Sequence, residues 1–207
     1  MMNLKKTTAV ALALILASAP TFAATVVSPS YPVSALVDGA LSMTIVARKN
    51  STAGAVTTAM NFGQLQEVVP GTLRSSATGP GNTGTGNVTV SITANSHSLP
   101  YTITQTGTSL VAGPNTIPTG ACTVVPVYAA ADNGGAAKPA AAVLGTAGSW
   151  VATNKSLYAS ESGSAAMRTI QAIYSITDDP AAGATSAVPV NQAAGTYNGT
   201  VTFTVTA

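Results

Sequence analysis

AAGTYNGTVTFTVTA, residues 193–207, sets threonines at 200, 202, 204 and 206 and places Val201, Phe203 and Val205 between them. Successive side chains leave a strand on opposite sides, so one apolar and one hydroxylic face is the pattern of a half-buried β-strand. Asn198-Gly199 is a hairpin dipeptide, but no second strand follows Val205 to pair across it. The pair is therefore read as a bend or bulge leading into the strand. A strand with this apolar face needs a neighbour on each side. The second neighbour is expected from earlier in the chain or from another molecule.

The same period recurs upstream. Leu41, Met43, Ile45 and Ala47 alternate with Ser42, Thr44 and Val46, and Val88, Val90, Ile92 and Ala94 alternate with Thr89, Ser91 and Thr93. Tyr101 and Ile103 sit among threonines, and Ile170, Ala172, Tyr174 and Ile176 form another ladder. Between these runs lie TGPGNTGTGN (78–87), AGPNTIPTG (112–120), DNGG (132–135) and DDPAAG (178–183). Short alternating runs separated by Gly, Pro and Asn predict an all-β fold, an antiparallel β-sandwich. The alanine-rich stretch 129–147 is read as a long loop, because Gly134, Gly135 and Pro139 oppose a helix. No linker splits residues 39–207, so one sandwich domain is expected there.

Residues 24–38 read differently. Val27, Pro29, Tyr31, Val33, Ala35 and Val37 occupy alternate positions, with Ser28, Ser30 and Ser34 between them. Pro29 and Pro32 cannot donate to a ladder, so this is an edge strand or an extended arm rather than a central strand. Before it, Lys5 and Lys6 precede the apolar run AVALALILA (9–17), and small residues follow at Ala19, Ala23 and Ala24. That tripartite pattern predicts a secretory signal peptide over 1–23, too short in its apolar part to span a membrane. Export would leave no membrane span in the mature chain.

Eight basic residues face six acidic ones in the whole chain, and two of the eight are the leader's Lys5 and Lys6. The remainder is balanced, which removes the basic stripe that nucleic acid or an anionic membrane would need. Low net charge favours association between copies. Cys122, the only cysteine, is read as a small buried residue.

Catalytic chemistry finds little footing, and no cofactor or metal site is expected. His97, the only histidine, lies in NSHSLP (95–100), where the serines are sequence neighbours and not an oriented triad. One His and one Cys cannot make a zinc site. Asp178-Asp179-Pro180 is read as a turn signal. An aromatic platform for glycans is the main alternative, with Trp150, Tyr128 and Tyr158 as candidates, although a lone tryptophan in a sandwich reads first as core.

MNFGQL (60–65) resembles the L-x-F-G-x-L/Y strand of the spore coat protein U domain, the fold of archaic chaperone–usher pilus subunits. VTVSITA (88–94) with LPYTIT (99–104) and Gly107, and AGTYNGTVTFTV (194–205), are similar to its middle and terminal segments in the same order. Ala94 stands where the family carries a cysteine, and Asn198-Gly199 where it carries an aspartate after the terminal tyrosine. The resemblance implies an immunoglobulin-like Greek-key sandwich lacking its final strand, with a groove along the terminal strand. A periplasmic chaperone would fill that groove first, and an N-terminal arm of the next subunit would then replace it, with an usher as the further partner. Val27, Tyr31, Val33 and Val37 would be the donor-arm side chains; Tyr197, Val201, Phe203 and Val205 would line the receiving side. The expected function is a secreted structural subunit of a bacterial surface fibre or coat, self-associating by donor-strand complementation. The alternative is a self-contained cell-surface sandwich that binds glycans or another protein.

Overall fold

Alternation along the threonine-rich runs produces strands with one covered and one wet face. The computed structural model describes residues 41–49, 53–75, 86–96, 99–161 and 167–207. The chain divides between Val37 and Asp38, and all described residues belong to the unit Asp38–Ala207. Its first strands are β1 (Ser42–Lys49), β2 (Val56–Thr57), β3 (Gln66–Val69), β4 (Thr72–Arg74) and β5 (Val88–Asn95). β6 (Thr102–Gly107), β7 (Val111–Ala112), β8 (Asn115–Thr116), β9 (Cys122–Val127) and β10 (Val143–Leu144) follow. The last are β11 (Gly148–Ser149), β12 (Lys155–Ala159), β13 (Arg168–Ile176), β14 (Val188–Pro189) and β15 (Val201–Thr206). Stretch 129–147 is loop apart from one 3₁₀ turn (Ala130–Asn133) and β10.

Among the described residues every strand pairing is antiparallel, and the fold is an all-β sandwich. A six-stranded sheet runs β11-β9-β13-β5-β1-β2, and a four-stranded sheet runs β10-β12-β6-β15. β5 lies at the centre of the larger sheet, pairing along its length with β1 and with β13. Its Val88, Val90, Ile92 and Ala94 are buried with Ile170, Ala172, Tyr174 and Ile176 of β13. From the smaller sheet, Ile103 of β6 and Leu157 and Tyr158 of β12 complete the same core. A smaller sheet, β14-β4-β3, turns at Pro70-Gly71, where Gly71 takes the left-handed φ of 90° that such a turn requires. It is tied to the end of β13: Ser75 N donates to Ile176 O at 2.8 Å, and Ile176 N to Ser75 Oγ at 2.7 Å. Arg74 forms an ion pair with Asp178 just beyond.

MNFGQL is not a strand in this fold. Residues 60–65 have no ladder partner and cross between β2 and β3 as a strap. Asn61 Oδ1 accepts from Gly63 N at 2.8 Å, and Gly63 adopts φ 69°, so a local turn competes with extended pairing. Asn198-Gly199 likewise makes no hairpin. Asn198 bridges Val111 by reciprocal bonds of 3.0 Å, after which Gly199 and Thr200 face three residues, Thr108–Leu110. The extra residue of this irregularity therefore sits in the partner segment.

Candidate functional site

Among the described residues, no strand joins the two large sheets along one side. The six-stranded sheet ends there on β1, whose outer edge β2 covers only at Ala47 and Arg48. The four-stranded sheet ends on β15, which among the described residues pairs with β6 alone. Thr108 N donates to Thr200 O at 2.9 Å, whereas Gly107 N turns the other way to Ala152 O at 3.0 Å. Antiparallel alternation then directs the main-chain groups of Val201, Phe203 and Val205 away from β6. β15 thus offers three residues' worth of strand edge beside the seam.

Between these edges lies a groove of about 930 Å³. Ile45 and Ala47 stand on the β1 side, and Tyr197, Val201 and Phe203 on the β15 side. Its floor is aromatic. Trp150 and Tyr174 have ring centroids 5.7 Å apart, and Tyr174 meets Phe203 edge-on at 6.3 Å. Phe62 of the strap lies flat on Trp150, with centroids 5.1 Å apart and planes 10° from parallel. Ile45 is 41% exposed, a large apolar side chain left in water beside an apolar trough.

Buried polar contacts hold the floor rigid. Gln105, in the middle of β6, donates from Nε2 to Trp150 O at 2.9 Å and accepts from the Tyr174 hydroxyl. Trp150 N donates to Cys122 O at 2.9 Å. Gly107 is required beside this carbonyl, since a Cβ there would stand 2.3 Å from Trp150 O. Burial raises the Tyr174 phenol above its ordinary pKa, so it stays a neutral donor.

Of the sequence-predicted groove residues, Tyr197, Val201 and Phe203 line the trough, and Val205 is half-buried against the core. Tyr197 is oriented by its hydroxyl, which donates to Ala193 O at 2.6 Å and accepts from Gln192 Nε2 at 2.7 Å. The donor-arm residues Val27, Tyr31, Val33 and Val37 lie outside the described residues, as does His97. Trp150 belongs to the core, 2% exposed, and Tyr158 is fully buried. Two of the three candidates for a glycan platform therefore present no open face; Tyr128 is half-buried, its hydroxyl donating to Ala137 O at 3.4 Å.

Asp178 and Asp179 are structural. Burial works to raise Asp178, but hydrogen bonds from Arg74 and Thr72 and the guanidinium charge outweigh it and hold the carboxyl below the usual aspartate value. Asp179 caps the 3₁₀ turn Pro180–Ala182, accepting from Ala181 N at 2.9 Å. Cys122 is fully buried, and burial pushes its thiol up to about 12. Among the described residues no three His, Cys, Asp or Glu side chains group as metal ligands.

Sequence reasoning missed Phe62 and Gln105 as parts of this site. The motif around Phe62 suggested a paired strand, and a glutamine among threonines carries no local mark of burial. No family model matches the chain, and neither a curated protein nor a solved structure matches it.

Proposed function

We propose that this chain is a structural subunit of a surface fibre, a sandwich of the immunoglobulin-like kind short of one strand, completed in its assembly by a strand from another copy. The observation that carries the reading is the seam whose β15 edge, among the described residues, pairs with β6 alone. In chain order β1, β5, β6, β9, β13 and β15 take the places of strands A to F: A-B-E-D is β1-β5-β13-β9, and C-F is β6-β15. β12 and β10 then form an insertion on the far edge of β6. Strand G would run along β15, in the groove.

The occupant we propose is residues 24–37 of a second copy. At about 3.3 Å per residue these 14 residues reach about 46 Å, against about 20 Å for β15, which leaves length to bridge two subunits. Direction favours a second copy. Ser42 pairs with Asn95, β6 begins at Thr102 after a short link, and Thr102 pairs with Thr206. The chain entering β1 therefore arrives at the end of the sandwich where β15 finishes. Folded back into its own groove, the arm would run parallel to β15; from another molecule it can run antiparallel, the more stable pairing per residue. Such head-to-tail contact generates a filament. During export a chaperone would cover the same apolar trough until an usher exchanges it for the next arm.

The test is the size of the exported chain with and without residues 24–37, measured by light scattering over a concentration series. Assembly that grows with concentration and is lost on deletion is expected. A monomer at all concentrations, equally stable without those residues, would refute the reading.

A further inference from the structure

The strap over the groove is attached in an unusual way. Thr57 Oγ1 donates to Ala59 O at 2.6 Å, Ala59 N to Thr57 Oγ1 at 3.2 Å, Asn61 N to Ala59 O at 3.0 Å, and Gly63 N to Asn61 Oδ1 at 2.8 Å. These bonds all stay within residues 57–63. Beyond the bonds to Thr57 at the end of β2, residues 58–65 make no hydrogen bond to the sandwich among the described residues, and they rest on it through the half-buried side chains of Met60, Phe62 and Leu65. Segments held by few backbone bonds open at low cost. Directly beneath, Trp150 is fixed by its N–H to Cys122 O and by Gln105 on its carbonyl. A flat, rigid ring is thus covered by a flat ring on a detachable support.

We propose that Phe62 is a placeholder: the Trp150 face is a subsite for one aromatic side chain of the incoming strand, and that side chain is Tyr31 of a second copy, which displaces the strap as it docks. The inference rests on the donor-strand reading above. Tyr31 is the only aromatic residue between Ala24 and Ala40, with Pro29 and Val33 at the neighbouring alternate positions. A phenol suits the position, since its face replaces the lost stack while its hydroxyl reaches the wet mouth of the groove. The exchange is close to balanced, one ring for another, so the difference in affinity comes from the backbone ladder that the strand forms with β15 and the strap cannot.

Trp150 is the only tryptophan in the chain, so its emission reports the subsite directly. Self-association of the exported chain would be followed by light scattering and by tryptophan fluorescence for wild type, F62A, F62L, Y31A and Y31F, with far-UV dichroism to verify the fold. The wild type should change its emission in step with association. F62A should associate at a concentration lower by about two- to tenfold, the worth of one stacked pair. F62L, apolar but not flat, guards against a folding defect and should shift in the same direction. Y31A should need a concentration higher by a similar factor and leave the emission unmoved, and Y31F should restore both. Association with emission changes that ignore both positions would overturn the placeholder while leaving strand exchange standing. Failure of every variant to associate would overturn both readings.

Discussion

Gln105 shows how much one polar side chain can organise. It has no exposed surface, and its amide satisfies the Trp150 carbonyl and the Tyr174 hydroxyl together. Q105L should lower unfolding free energy by about 2–6 kcal/mol, measured by urea denaturation, because two buried groups lose partners at about 1–3 kcal/mol each. Cys122 gives a second residue-level expectation. With its thiol raised to about 12 by burial, it should resist thiol reagents at pH 8 in the native protein and react on unfolding. Its burial was legible because a free cysteine is usually a buried residue. The burial of Gln105 was not, because a strand's period assigns a face but does not say which polar residue finds partners there.

At the scale of elements, legibility followed regularity. β5, β13 and β15 were readable because each keeps strict alternation between a core face and another face. β12 was not, because its register shifts between Ser156 and Tyr158 and buries Leu157 and Tyr158 in succession, which breaks the period. The strap 58–65 was hidden for another reason: its role depends on Trp150, far away in sequence, and no local pattern reports a long-range stack. Amides of 58–65 should exchange with solvent faster than those of β5 or β13, read by hydrogen–deuterium exchange mass spectrometry. Protection equal to that of β5 would contradict a support held by three side chains.

For the whole molecule, the stability limits follow from charge states. Asp178 titrates lower in the fold than its ordinary 3.8, so the Arg74 link contributes fully above that value and is lost as pH falls through the folded pKa. D178N should flatten this acid limb of the stability curve. On the alkaline side Cys122 rises from 9.0 and Tyr158 from 10.0, both to about 12, Tyr158 through burial and then through the nearby Glu161. Raised values favour the neutral forms, so this contribution is complete below about pH 9 and disappears as pH climbs toward 12. Urea midpoints taken from pH 3 to 11 should trace both limbs. The sandwich itself was legible from the sequence; the seam was legible only as an unanswered need of the last strand.

The ladder between β15 and β6 runs in register from Val201 against Gly107 to Thr206 against Thr102. Its rungs lie across the strand axis. Tension applied along β15 therefore loads them side by side, and they must fail together; the same tension applied sideways at Thr206 would peel them one at a time. A strand seated in the groove and running along β15 would inherit the first geometry, so pulling on a chain of such subunits would shear its joints. Resistance to force is then set by the direction of the seam as much as by the chemistry inside it.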